Sequence, residues 1–276
     1  MANILISYGD QRYYESVRRV IKHAKKTPFF NRVRMYTEND IPEDVKKSPL
    51  FQYTRGGGYW LWKPWIILDA LKHSAPDDVV VYVDGGCGLN PQSKEWEYYK
   101  EELKSHSAII FQYREAKTYP FWKPVCTSAD NYSSKIRYWS KSLCREFLIS
   151  YFGGDAFLEY NSVWCGACIV KNCPKGMAFV QEWFDLMNKH PEIVRDMEGS
   201  ELNNIPLDFN AHRHDQSIVT GIAFYRMKDL DLRVIPETSE SQKDTAAIRA
   251  DRFIQAKLPF WQNLKYKIYT LLHGDI

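Results

Sequence analysis

The chain has 276 residues, 45% of them hydrophobic, enough to bury a substantial core in one large domain. Its charges nearly cancel, 37 Lys+Arg against 34 Asp+Glu for a formal +3, which excludes the strongly basic surface of a general nucleic-acid binder. No run of about 18 apolar residues occurs and the first residues carry no basic leader ahead of an apolar run, so the chain is expected in the cytoplasm, not crossing a membrane.

Asn3 to Ser7 is a short apolar run that reads as a strand, and Tyr8-Gly9-Asp10 as the turn after it. Tyr14, Val17, Val20, Ile21 and Ala24 then recur at helical spacing. Val33 to Tyr36 predicts a second strand, and Pro42 to Ser48 a short polar helix or loop. Pro64 is expected to open the next helix, because proline is tolerated in a first turn, with Ile66, Ile67, Ala70 and Leu71 buried until Pro76 ends it. Val79 to Val83 is a continuous apolar run, the pattern of a strand covered on both faces, ending at Asp84-Gly85-Gly86. Strands are expected at Ala108 to Phe111 and Cys165 to Val170, and a helix at Tyr138 to Tyr151. Asn172 to Gly176 reads as a turn before a helix from Met177 to Lys189. Helices alternating with buried strands predict an α/β fold with a mainly parallel sheet.

Three segments carry chemistry. In Arg55-Gly56-Gly57-Gly58-Tyr59-Trp60-Leu61-Trp62-Lys63-Pro64, three glycines let backbone amides approach an anion, with the positive end of the following helix and Lys63 beside it. A glycine hairpin capped by buried Trp rings accounts for the same residues. Asp84 lies at the carboxyl end of a strand, where open α/β sheets bind ligands, and suits a divalent metal or a ribose hydroxyl; it also suits a simple turn cap. His212-Arg213-His214-Asp215-Gln216-Ser217 precedes a helical apolar pattern, and its cations would keep Asp215 ionised, while Asp215 or Asn210 is placed to cap that helix.

The segments Gly58 to Pro64, Tyr82-Val83-Asp84-Gly85-Gly86-Cys87 and His212 to Ser217 together resemble the bacterial capsule and lipopolysaccharide (O-antigen) glycosyltransferases of the GT-A superfamily, over about Asn3 to Ile235. The resemblance implies a Rossmann-like GT-A fold in residues 1–250 and transfer of a sugar from a nucleotide-diphosphate sugar to a hydroxyl of a lipid-linked surface glycan. It puts Asp84 at the metal-binding Asp-X-Asp position, with Tyr8 and Asp10 near the nucleotide base. Arg55, Gly57, Trp60, Trp62, Lys63 and Lys141 complete the expected donor side, and His212, Arg213 and Gln216 the acceptor side. Asp215, His214 and Asp84 are the expected catalytic residues. Gly86 stands at the second acidic position, so a bound Mn²⁺ or Mg²⁺ needs another ligand, with His212, His214 and Asp215 as candidates, unless Arg and Lys side chains take its place. Asp215 is placed to hold or deprotonate the acceptor hydroxyl.

Trp164-Cys165-Gly166-Ala167-Cys168 has the spacing of a redox motif, but the apolar Ile169-Val170 continues a strand where such a motif opens a helix. A zinc site from Cys165, Cys168 and Cys173 lacks a fourth ligand at standard spacing. In residues 251–276, Trp261, Leu264, Ile268 and Leu271 recur at helical spacing among lysines, which suits either a membrane-surface helix or a terminal helix docked on the domain. A sugar-nucleotide nucleotidyltransferase and a non-catalytic carbohydrate-binding module are the competing functions. The first expects a glycine-rich loop directly after strand one, where only Gly9 stands, and the second leaves Asp84 and residues 212–216 without a role.

Overall fold

A computed structural model of the chain describes residues 1–115, 133–251 and Ile268. The elements in order are β1 (Asn3–Tyr8), α1 (Tyr14–Ala24), β2 (Arg32–Tyr36), α2 (Glu43–Lys46), α3 (Trp62–Lys72), β3 (Val79–Val83), β4 (Gly88–Leu89) and α4 (Glu95–Glu102). There follow β5 (Ala108–Gln112), α5 (Ser142–Phe152), β6 (Val163–Lys171), α6 (Pro174–Lys189), α7 (Pro191–Val194), α8 (Asp215–Arg226), β7 (Leu232–Pro236) and β8 (Ile248–Arg249).

Six strands make one sheet in the order β2-β1-β3-β6-β5-β7, and β4 pairs with β8 beside it. Neighbours pair in parallel except at β6, which is antiparallel to both β3 and β5. The architecture is therefore mixed α/β with a mainly parallel sheet. Because strand side chains alternate faces, Val80 and Tyr82 join one apolar layer with α3, α5, α6 and α8, while Val79, Val81 and Val83 join the other with Leu5, Val20 and Trp96. All five residues of β3 are buried, as its unbroken apolar run predicts. Each such valine stabilises the fold by about 1.5–3 kcal/mol through lost water contact.

Several boundaries differ from the sequence expectation. The third helix begins at Trp62, two residues ahead of Pro64, which still lies in its first turn. Pro174 to Gly176 is not a turn but the start of α6, and Gly176 is required there because a Cβ would lie 2.2 Å from the Lys171 carbonyl oxygen. The segment expected as one helix from Tyr138 is a 3₁₀ turn at Ile136–Trp139 followed by α5. The expected amphipathic tail helix lies outside the described residues, Ile268 apart. No helix among the described residues is long and apolar enough to cross a membrane.

The order of strands determines where a ligand can enter. From β1 the chain moves to β2 on one side and then returns to β3 on the other, so the connections diverge above the carboxyl ends of β1 and β3. In open α/β sheets that divergence leaves a crevice. Tyr8 ends β1 and Asp84 follows β3, so both stand at its rim.

Candidate active site

The period of the strand explains the direction of Asp84. Residues 80, 82 and 84 share a face, and the Tyr82 hydroxyl donates a hydrogen bond to Asp84 Oδ1. The turn is closed by backbone, from Cys87 N to the Asp84 carbonyl, at 2.9 Å, so the side chain is not needed as a cap. Gly85 is required by close approach, since a Cβ would lie 2.7 Å from Val17 Cγ2.

On the same face, the second residue of α3 sends Lys63 between two carboxylates. Its ammonium nitrogen lies 3.1 Å from Asp215 Oδ2 and 3.5 Å from Asp84 Oδ1, and donates at 2.9 Å to the Cys165 carbonyl. Lys63 and Asp215 are 4% and 6% exposed along their side chains, whereas Asp84 is 39% exposed. Burial pulls Lys63 toward its neutral form, but Asp215 and Asp84 outweigh it and raise its pKa above the ordinary value. Burial likewise lifts Asp215 above the usual carboxylate range against the pull of Lys63. Lys63 and Asp215, 21 and 131 positions from Asp84 in the chain, are thus joined to it in one cluster.

The glycine run does something other than expected. Gly56 to Trp60 all have positive φ, at 59, 58, 92, 50 and 62°, which makes one turn of left-handed helix. Its amides are taken internally: Gly57 N by Thr54 O, Gly58 N by Tyr53 O, Tyr59 N by Arg55 O and Trp60 N by Gly56 O. These N–H groups cannot also cradle a diphosphate, which corrects the expectation of an anion-binding glycine loop at Gly57. The glycines serve handedness, and Tyr59 and Trp60 each cost about 1–2 kcal/mol in this conformation. Side-chain contacts hold them there: Tyr59 Oη donates to Asp196 Oδ2 at 2.9 Å and Trp62 Nε1 to Gly56 O at 2.8 Å. Gly57→Ala is expected to cost about 1 kcal/mol, the penalty of a side chain at positive φ. Gly56→Ala should cost more, because its Cβ would lie 2.7 Å from the Trp60 ring. Chemical denaturation of both variants checks this, and equal losses would remove the packing argument.

His214, directly before α8, has φ 48° and ψ −113°, a strained conformation for a residue with a Cβ. Its Nδ1 donates to the Val194 carbonyl at 2.7 Å, and its ring lies 4.9 and 5.4 Å from those of Tyr59 and Trp60. Burial pushes its imidazole down to about 4. His212 is similarly placed, with Nε2 donating to the Ile193 carbonyl and burial holding it well below its ordinary value. Both rings tie the approach to α8 onto α7. Asp215 starts α8 at its first helical position, so neither it nor Asn210 is the N-cap.

Other expected donor residues divide. Tyr8 stacks on Trp62 with centroids 3.9 Å apart, beside the crevice. Asp10 Oδ1 accepts the amides of Arg12 and Tyr13 and so holds the turn before α1. Arg55 pairs with Asp196 at 2.8 Å. Lys141 is 1% exposed, pairs with Glu201 at 2.9 Å and donates to the Asp196 carbonyl at 3.4 Å, so its ammonium is engaged there. Arg213 and Gln216 line a small pocket near the start of β6. Sequence reasoning missed Tyr82, which its i, i+2 spacing to Asp84 on a strand could have revealed, and Asp196, for which no local signal exists.

A resident metal site is not built by these residues alone. Among the described residues no group of three or more His, Cys, Asp or Glu is placed to hold a metal ion. His214, expected as a ligand, turns Nδ1 to a carbonyl and has Nε2 3.8 Å from Asp196 Oδ1, not at Asp84. What does fit is a single outward ligand. Asp84 Oδ1 faces Tyr82 and Lys63, so Oδ2 is the atom that would serve as a ligand, and any cation there would need its other ligands from outside these residues. The two carboxylates and one ammonium carry a formal net charge of minus one, so the cluster does not by itself attract an anion.

Cys165 and Cys168 are buried on β6, and burial raises the first thiol well above its ordinary value and the second to about 12. Thiols so disfavoured as thiolates make poor redox nucleophiles.

No protein-family model and no curated protein matches the chain. Several solved structures overlap it. A glycosyltransferase involved in the glycosylation of the major capsid of PBCV-1 is 9% identical, covers 97% of this chain and 100% of its own, and has a TM-score of 0.46. The glycosyltransferase GlyE of Streptococcus pneumoniae TIGR4 is 12% identical over 99% of this chain and 61% of its own, at 0.45. The galactosyltransferase LgtC, solved with donor and acceptor sugar analogs, is 10% identical over 84% and 72%, at 0.40. Overlaps this loose and this divergent assign neither activity nor substrate.

Proposed function

We propose that the chain is a nucleotide-sugar-dependent glycosyltransferase of the GT-A kind, transferring a sugar to a hydroxyl of a glycan. The observation that carries this reading is the meeting of its three motifs. Lys63 of the first, Asp84 of the second and Asp215 of the third share one charged cluster beside the crevice between β1 and β3.

In this scheme the Tyr8 end of β1 borders the nucleotide, and Asp84 would hold a divalent cation beside the donor diphosphate. When bound, that cation supplies charge stabilisation to the departing nucleoside diphosphate. Lys63 keeps Asp84 oriented through their ion pair, and Asp215 keeps Lys63 charged despite its burial. The hydrogen bond from Tyr82 fixes the other side of the Asp84 carboxylate. Asp215 acts through Lys63, because its side chain is 6% exposed and its Oδ2 faces the ammonium. The resemblance of the motifs favours a bacterial capsule or lipopolysaccharide acceptor, with a lipid-linked glycan reached from the inner membrane face.

Thermal-shift measurements with UDP, GDP and CDP, each with and without Mn²⁺, test the donor site. One nucleoside diphosphate should raise the melting temperature by an amount that follows its affinity, and only with the cation. If no nucleotide stabilises the protein, or if stabilisation ignores the cation, the scheme is wrong.

A further inference from the structure

Resting on the transferase reading for the source of its ligand, we propose that a cleft at the amino end of the sheet is a second carbohydrate site, which holds a neutral sugar of the glycan away from the point of transfer. The cleft has an interior volume of about 410 Å³ and lies between the α1–β2 connection and α4, with Asn3, Phe29, Asn31, Gln92, Trp96 and Glu97 among its walls. Sites for small ligands run from about 300 to 1,000 Å³, so one or two sugar rings fit inside. Asn3 opens β1 and Tyr8 closes it, so five steps of extended strand put the cleft about 17 Å from the crevice. The two sites lie at opposite ends of the strands.

The walls are fixed by the fold itself. Asn31 N donates to the Asn3 carbonyl and Asn3 N donates to Asn31 Oδ1, both at 2.8 Å. Asn3 Nδ2 donates to the Phe29 carbonyl at 2.8 Å, which holds the turn that carries this ring. Phe29 stacks on Trp96 with centroids 5.0 Å apart, and Trp96 Nε1 donates to the Asn90 carbonyl at 2.7 Å. On the other wall, Gln92 N donates to Asn90 Oδ1 at 3.2 Å and Ser93 Oγ to the Thr245 carbonyl at 2.6 Å. A ligand therefore orders few groups on entering, which keeps its entropic cost low.

These contacts leave over a set of groups suited to hydroxyls. Among the described residues, no hydrogen bond or ion pair engages the side-chain amide of Gln92, the Glu97 carboxylate, the Lys100 ammonium or Asn31 Nδ2. A sugar hydroxyl both donates and accepts, and two amides with a carboxylate answer both needs. Phe29 is half-buried and offers an apolar surface to the C–H face of a ring, while Trp96, 4% exposed, backs it from behind. Glu97 and Lys100 stand three residues apart on α4, hence on one face, and are the only charged side chains of the cleft among the described residues. Their charges cancel, so a phosphate or carboxylate gains nothing there and a neutral ring is favoured.

The probes are methyl β-D-glucoside, methyl β-D-galactoside, methyl N-acetyl-β-D-glucosaminide and the anionic methyl β-D-glucuronide, titrated by saturation-transfer NMR into the full chain without any nucleotide. At least one neutral probe should bind, and more tightly than the glucuronide. Gln92→Ala and Glu97→Ala, changes at exposed side chains, should each weaken that probe by about two- to tenfold, the range for one lost hydrogen bond, with the melting temperature unchanged. Saturating UDP with Mn²⁺ should not displace the probe, and Asp84→Asn should leave its affinity as it was. The proposal is overturned if no neutral probe binds, if the glucuronide binds best, if neither alanine variant weakens binding, or if UDP competes. Because binding is read without nucleotide, that outcome is separate from failure of the donor site in the thermal-shift experiment. A probe held in the cleft of a chain that no nucleotide stabilises would overturn the transferase reading and leave the site standing.

Discussion

Replacing Lys63 with methionine is expected to lower the stability of the protein by about 3–5 kcal/mol, because it leaves the charge of Asp215 buried without its partner. For a chain of this size that is a fall in melting temperature of roughly 10 °C. The methionine keeps most of the volume, so the loss is electrostatic. Its pH dependence follows from the sign of the shift at Asp215. Burial already raises this carboxyl above its ordinary value, and removing the ammonium raises it further. A folded state that holds a proton more tightly than the unfolded chain is favoured below the unfolded pKa and loses that advantage as pH rises through the folded pKa. The gap between wild type and Lys63→Met should therefore be widest at neutral pH and narrow toward pH 4. Adding Asp215→Leu should recover most of the stability without recovering transfer, since an apolar pair of similar volume often replaces a buried ion pair at little cost. Urea denaturation at pH 4.5 and 7.5 decides the matter. An equal loss at both would mean that the pair does not carry the burial of Asp215.

Asp84→Asn should show the opposite division of effects. The side chain is partly exposed and the turn is closed by backbone, so the melting temperature should change little. The amide keeps an oxygen toward Tyr82 and Lys63 but loses the charge offered to the cation. Transfer should fall by about 10²–10³-fold, the usual cost of removing one electrostatic group acting on a developing charge. The Mn²⁺-dependent part of nucleotide stabilisation should disappear with it. Full turnover in this variant, measured as nucleotide release, would place the chemistry elsewhere.

The two variants also distinguish roles that the chain order cannot. Asp215 and Asp84 read alike in sequence, each a carboxylate among polar residues beside an apolar run. In the fold one is buried against a lysine and the other faces solvent, so one is expected to report as stability and the other as activity.

The sequence by itself determined the layers and the edge at which function is sought. The unbroken Val79 to Val83 run required burial on both faces, and two-residue periodicity then carried Tyr82 and Asp84 to the same side. Helical spacing gave α1, α3 and α6 with their buried stripes, because that period is a local consequence of backbone geometry. Only the tertiary structure decided the rest. The reversed direction of β6 depends on which neighbours it pairs with, and pairing is not encoded within a strand. The handedness of Gly56 to Trp60 depends on Asp196 and His214, both more than 130 residues away, holding Tyr59 and Trp60 in a costly conformation. His212 and His214 looked equally suited to metal or proton transfer until the carbonyls of Ile193 and Val194 claimed their ring nitrogens. A side chain's chemistry is fixed by its neighbours and its access to water, and both are set by contacts between distant parts of the chain.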